Sequence, residues 1–172
     1  MDHSERTHDH PDHPPFRDQV SPGDVQAIAG LVRATGYFND EEIAIAAELA
    51  AERLEKGPAS GYEFLFADED GRVVGYSCYG LVPCSSVSWD LYWIAVHPGQ
   101  QGSGLGRRLL RETERRVRES GGLALYAETS GKAQYASTRG FYEKSGYDTA
   151  GVFEDFYAPG DAKYTYCRRL DR

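Results

Sequence analysis

Val96-His97-Pro98-Gly99-Gln100-Gln101-Gly102-Ser103-Gly104-Leu105-Gly106-Arg107-Arg108-Leu109-Leu110 links an apolar stretch to a charged, periodic one through a turn with glycine at 102, 104 and 106. Glycine has no Cβ, so the backbone can fold back tightly there, and the first N–H groups of a helix have no partner inside it. Several N–H groups can therefore converge in one concavity, where the helix dipole adds attraction for a phosphate. On spacing alone, a tight strand-to-helix connection without a ligand fits the same residues. A P-loop would need Gly-Lys followed by Ser or Thr, whereas Gly106 is followed by Arg107-Arg108, which argues against magnesium-nucleotide chemistry. A dinucleotide fingerprint would use Glu128 as its ribose-binding acid. However, the spacing is G-x-G-x-G, and too little chain follows to complete a doubly wound sheet.

On either side of this turn the pattern alternates between strands and helices. Trp89 to Val96 is nearly continuous in apolar and aromatic residues, which predicts a central strand buried on both faces. Leu105 to Ser120 predicts a helix with Leu109, Leu110, Thr113 and Val117 inward, stopped by Gly121-Gly122. Leu123 to Glu128 reads as a second central strand, and Tyr135 to Lys144 as a short helix closed by Gly146. Tyr147 to Phe156 and Ala162 to Arg169 form a hairpin around Ala158-Pro159-Gly160-Asp161. Upstream, Tyr62 to Ala67 and Arg72 to Leu81 make another around Asp68-Glu69-Asp70-Gly71. Asn39 with Glu42 opens a helix that Gly57 ends after Lys56, and Ser21-Pro22-Gly23-Asp24 opens an earlier one behind a first strand, Phe16 to Val20. The order β-α-α-β-β-β-α-β-α-β-β predicts an α/β fold, a mixed central sheet flanked by helices.

The 172 residues fit one domain with a single core, residues 16–172, behind a His-, Asp- and Pro-rich tail of residues 1–15 that reads as disordered. That tail has neither the basic start nor the apolar stretch of a secretory signal, so a cytoplasmic location is expected. Four of its residues are histidines, including His8 and His10, but no metal site is expected. Cys78, Cys84 and Cys167 are too few and too scattered for a disulfide framework or a zinc site. The formal net charge is −8; Asp2, Glu5, Asp9 and Asp12 against Arg6 leave −3 in the tail and −5 in the rest. An acidic surface disfavours nucleic acid and favours cationic partners. No apolar run is long enough to cross a bilayer. Oligomeric state is left open, a homodimer included.

The segment from Val96 to Leu110 resembles the acyl-CoA signature of the GNAT superfamily, Gln or Arg, two residues, Gly, any residue, then Gly or Ala. Phe141-Tyr142-Glu143-Lys144-Ser145-Gly146-Tyr147 is similar to its second hallmark, a Tyr-bearing helix end before a Gly-aromatic pair. The resemblance extends from Phe16 to the C-terminus and implies an acetyl-CoA-dependent N-acetyltransferase acting by direct attack of an amine in a ternary complex. It implies acetyl-CoA as co-substrate in a V-shaped gap between Trp89–Val96 and Leu123–Glu128, with the pyrophosphate on Gln101, Gly102, Ser103, Gly104, Leu105, Gly106 and Arg107. By the same resemblance the backbone of Ile94 faces the thioester oxygen and that of Val96 the pantetheine, with Ala95 between them in the cofactor-binding stretch. Tyr135 stands where many members carry Asn. It is taken as a CoA-contacting position, with Thr129, Ser130 or Thr138 as other suppliers of that contact.

The chemistry then needs a proton donor and a proton acceptor. Tyr142 matches the family's general acid; the alternative is a space-filling core tyrosine. Asp90 is an acid inside an apolar strand, which is costly unless paired or functional, and it matches the carboxylate that histone-type members use as base. The alternative is a strand-entry Asp making a turn bond. Glu128 is the second candidate for base or amine binder. Arg107 and Arg108 either reach the phosphates or belong to a solvated run with Arg111, Arg115, Arg116 and Arg118. A cysteine acyl-enzyme through Cys78 or Cys84 lacks a nearby histidine other than His97. The expected acceptor is a cationic primary amine, whether a small amine, an amino acid or a peptide or protein amine. Phe153 to Ala162 loosely resembles the acidic segment of members that acetylate peptide N-termini. A dinucleotide-dependent oxidoreductase and a non-catalytic CoA sensor are the rival classes.

Overall fold

The computed structural model describes residues 16–171; the expectations for the tail fall outside them. Seven strands form one sheet in the order β1-β2-β3-β4-β5-β7-β6: β1 (Phe16–Arg17), β2 (Glu63–Glu69), β3 (Arg72–Leu81), β4 (Ser88–Val96), β5 (Ala124–Ser130), β6 (Asp148–Ala158) and β7 (Asp161–Arg169). Four helices accompany it, α1 (Pro22–Thr35), α2 (Asp40–Lys56), α3 (Leu105–Glu119) and α4 (Ala136–Lys144). The predicted order holds. The first strand is shorter than expected, ending at Arg17, whose side chain meets the Asp24 carboxylate at 2.7 Å and Asp68. None of the four helices among the described residues is long and apolar enough to cross a membrane.

The start signals behave as written. Asn39 and Glu42 exchange two side-chain-to-backbone bonds of 2.9 Å at the head of α2. At the head of α1, Asp24 accepts from the Ser21 N–H at 2.7 Å.

Two cores lie on opposite faces of the sheet. Ile28, Val32, Ala46 and Ala50 of α1 and α2 pack on Phe64, Phe66, Tyr76 and Cys78, and Leu105, Leu109, Leu110 and Val117 of α3 pack on Leu65, Leu91, Leu125 and Ala127. Each fully buried leucine contributes roughly 1.5–3 kcal/mol. Glu114, which the sequence places in a charged surface run, is buried too, and burial pushes its carboxyl up.

The expectation that β4 is buried on both faces is corrected. Within it only Leu91 and Ala95 are buried, while Tyr92 is exposed. Tyr79 pairs with Leu91 and Cys78 with Trp93, so Tyr92 is an extra residue in the ladder, a bulge that bends the strand. Gly80 makes room for it, since a Cβ there would lie 3.1 Å from the Tyr92 ring and 2.3 Å from the Gly61 carbonyl oxygen. β4 and β5 are the one parallel pair in this sheet, and their register runs from Ser88↔Ala124 to Leu91↔Ala127 and stops. Beyond it the strands diverge, so Ile94, Ala95 and Val96, although in contact with the two cores, also border a gap.

Candidate active site

The divergence of β4 and β5 opens a cleft of about 1270 Å³. Its walls include Ile94, Ala95 and Val96 on one side and Ala127, Glu128 and Thr129 on the other; Gly102, Gly104 and Arg107 stand at one end, and Tyr142 lies along it. Beyond Leu91 the β4 edge that faces β5 has no strand partner, so its backbone donors and acceptors are available to an occupant.

At the glycine-rich end, Gly102 and Gly104 have φ of 80° and 86°, in the left-handed region, and a Cβ at either would meet nothing within 4 Å. Their role is therefore conformational. The turn spends three of its donors internally: the Gln101 N–H bonds the Pro98 carbonyl at 3.2 Å, the Ser103 N–H bonds the Gln100 carbonyl at 3.3 Å, and the Leu105 N–H bonds Ser103 Oγ at 3.3 Å. The N–H groups of Gly102, Gly104, Gly106 and Arg107 have no acceptor among the described residues. Four donors at a helix N-terminus fit a pyrophosphate. Ser103 shapes the turn and does not line the cleft; Leu105 lines it but is buried, while Gln101 is exposed at its edge. The two arginines separate. Arg107 reaches the cleft, whereas the Arg108 guanidinium lies over the Phe16 ring at 5.1 Å, away from it.

Tyr142 is 4% exposed, in contact with the cleft, and its ring is enclosed by Phe141, Tyr147 and Tyr166 with centroids 5.4–5.5 Å away. Burial, and to a lesser degree Tyr166, pushes its phenol well above the usual value. Tyr142 is thus a packed core tyrosine that also borders the cleft, so the two sequence alternatives are not exclusive.

Asp90 is half-buried and its carboxylate makes no hydrogen bond or ion pair among the described residues, so the turn-bond alternative finds no support. Burial raises its carboxyl, the nearby Glu128 raises it further, and Lys163 pulls it back down. Asp90 registers with Tyr126, two residues before Glu128, so strand alternation sets Asp90, Tyr126 and Glu128 on one face. That face is uncovered at β5, because α1 and α2 lie over β2 to β4 alone. Glu128 is exposed and pairs with Lys163 Nζ at 3.0 Å.

Tyr135 lines the cleft, but its hydroxyl donates to the Tyr37 carbonyl at 3.2 Å, and its ring packs near Tyr37 and Phe38. It ties the α1–α2 connection across the mouth. Of the other suppliers for that position, Ser130 commits its hydroxyl to Asp161, while Thr129 and Thr138 face the cleft. Sequence reasoning missed Lys163, Tyr92, Tyr126 and the Tyr37–Phe38 wall; alternation from Glu128 could have found Tyr126, but nothing local signals cross-strand partners.

A family profile described as "Acetyltransferase (GNAT) domain" matches residues 60–149. The blasticidin-S acetyltransferase of Streptomyces morookaense is 32% identical over 121 residues, covering 68% of this chain and 81% of that protein. A Desulfovibrio desulfuricans protein described as a GNAT-family acetyltransferase superposes with a TM-score of 0.89 at 47% identity, over 91% of this chain and 98% of the other. An aminoglycoside 6′-N-acetyltransferase solved with coenzyme A shares the fold, with a TM-score of 0.72 at 18% identity over 91% of this chain and 97% of its own.

Proposed function

Because the chain belongs to the GNAT acetyltransferases, we propose that it draws an acetyl group from acetyl-CoA and delivers it to the primary amine of a cationic acceptor bound over Asp90 and Glu128. The observation carrying this reading is the layout of the cleft: free backbone donors at one end, an uncovered carboxylate-bearing sheet face at the other, and Tyr142 along it. A dinucleotide-dependent oxidoreductase is excluded by the family, and the unpaired Asp90 beside the cleft favours an active enzyme over a sensor.

In this reading the N–H groups of Gly102, Gly104, Gly106 and Arg107 hold the pyrophosphate and fix the thioester beside β4. The unpartnered backbone of Ile94 faces the thioester oxygen and stabilises charge developing there. Asp90, directly or through water, takes a proton from the acceptor ammonium. The amine nitrogen then bonds to the acetyl carbon, the carbon–sulfur bond breaks, Tyr142 Oη protonates the departing thiolate, and the second proton that the acylated nitrogen sheds passes through water to restore the Tyr142 hydroxyl. The acceptor's charge is read by Asp90, with Glu128, Tyr92 and Tyr126 as its surroundings. The proposal is tested by thiol release from acetyl-CoA with primary amines of matched size that are neutral elsewhere, cationic or anionic. The cationic series should show the highest kcat/KM, and a preference for anionic amines would overturn the acceptor assignment.

A further inference from the structure

Lys163 is an amine that the chain itself places among the acceptor carboxylates. It lies on β7, opposite Ser130 of β5 on one side and Phe153 of β6 on the other. Its ammonium is 3.0 Å from Glu128 Oε1, 4.1 Å from the centroid of the Phe156 ring and 5.3 Å from that of Phe153. The side chain is 16% exposed although it carries a charge, so it is clamped and does not extend into solvent. By contrast Glu128 keeps half of its side chain open.

Resting on the acyl-transfer reading above, we propose that Lys163 is a positioning residue for that reaction: its clamped ammonium neutralises Glu128 and thereby keeps Asp90 as the single free carboxylate that takes the acceptor's proton. Two carboxylates sharing one face without a cation would repel, and one would hold its proton into the working pH range, where it could no longer act as base. The groups facing Asp90 are Tyr92 on its own strand, Tyr126 and Glu128 on β5 and Lys163 on β7; its β3 partner, Gly80, contributes no charge. The Asp161 carboxylate nearby is already matched by Lys132 Nζ at 3.2 Å. Lys163 is therefore the cation that balances this pair, and the opposing influences of Glu128 and Lys163 on the Asp90 carboxyl have the sign this role requires.

The test is the acid limb of the kcat/KM–pH profile for one reactive amine. Lys163→Met should move that limb to higher pH by about one unit, the size of a neighbouring-charge effect at a partly screened site, and Lys163→Arg should return it close to the parental position. Adding Glu128→Gln to Lys163→Met should restore the limb, because the repulsion is gone. Should the Met variant fold poorly, Glu128→Gln alone still decides, since it leaves Lys163 facing Asp90 and must move the limb to lower pH. An unmoved limb in Lys163→Met, or an upward shift in Glu128→Gln, overturns the proposal. Absence of transfer by the parental protein would overturn the acyl-transfer reading instead, so the two failures are distinguishable.

Discussion

The ring of Tyr142 stacks on that of Tyr166 with centroids 5.5 Å apart and planes inclined by 28°. Tyr166 is itself fully buried and donates its hydroxyl to Glu143 at 3.1 Å, so the surface against which Tyr142 rests is anchored. Burial pushes this phenol above its usual value, so the hydroxyl keeps its proton at neutral pH and has one to donate. Tyr142→Phe keeps the packing and removes the proton. Turnover should fall by roughly 10² to 10⁴, with CoA affinity hardly changed. Single-turnover kinetics check this, and a Phe variant with parental chemistry would remove Tyr142 from the mechanism.

Gly104 caps α3 at φ 86° with empty space around it, so a larger side chain meets strain and not a clash. Gly104→Val puts a β-branched residue where left-handed backbone is costly, by roughly 1–3 kcal/mol, and tilts the donors of the turn. The melting temperature should drop modestly, while the rise produced by coenzyme A should vanish. An undiminished rise in differential scanning fluorimetry would move the phosphate site elsewhere.

Asp90 is raised chiefly by burial, and folding therefore favours its protonated form. The sign is that of a group with a raised folded pKa: its favourable contribution is present below the unfolded pKa and is lost as pH rises through the folded one. Asp90→Asn should accordingly melt at or above the parental temperature at pH 7, with the gap closing in acid. Its rate should be lowest relative to the parent at low pH, and less so where the amine is already neutral. Parallel melting and pH–rate profiles would separate this from a structural role, in which Asn would melt lower.

Asp24 behaves oppositely. Burial alone would raise it, but Arg17 and Ser21 outweigh burial and hold its carboxyl below the usual range. Its contribution is present above the unfolded pKa and fades as pH falls through the folded one. Asp24→Asn should cost roughly 1–3 kcal/mol at pH 7, or several degrees of melting temperature, because it weakens the link from β1 to α1 and the α1 cap together. Urea unfolding at pH 7 and below pH 4 checks this; a penalty independent of pH would contradict it.

Most element identities were legible because their signals are local: Asn39 with Glu42, the glycines at 102 and 104, and the Asp70-Gly71 turn need only neighbouring residues. The pairing of Trp89–Val96 with Leu123–Glu128 was legible only through the family resemblance, and hydrophobic pattern alone hid the true environment of β4. Trp89 to Val96 reads as doubly buried, yet the Tyr92 bulge turns part of that apolar surface toward a cleft. The same limit applied at the site. Glycine pattern and tyrosine position named the two ends, but Lys163 lies 35 positions after Glu128 and meets it only through the β5–β7 pairing. Ser103 and Arg108 show the converse, residues inside a legible motif whose side chains face away from the cleft.

Acceptor-dependent transfer is tested most directly by incubating the protein with acetyl-CoA and a small cationic primary amine, then measuring the amine product by mass spectrometry alongside free thiol. The account predicts N-acetylated amine and free coenzyme A in equal amounts, with both lost when the amine is omitted. Thiol release that is indifferent to the amine, or an acetyl group found on oxygen, would contradict it.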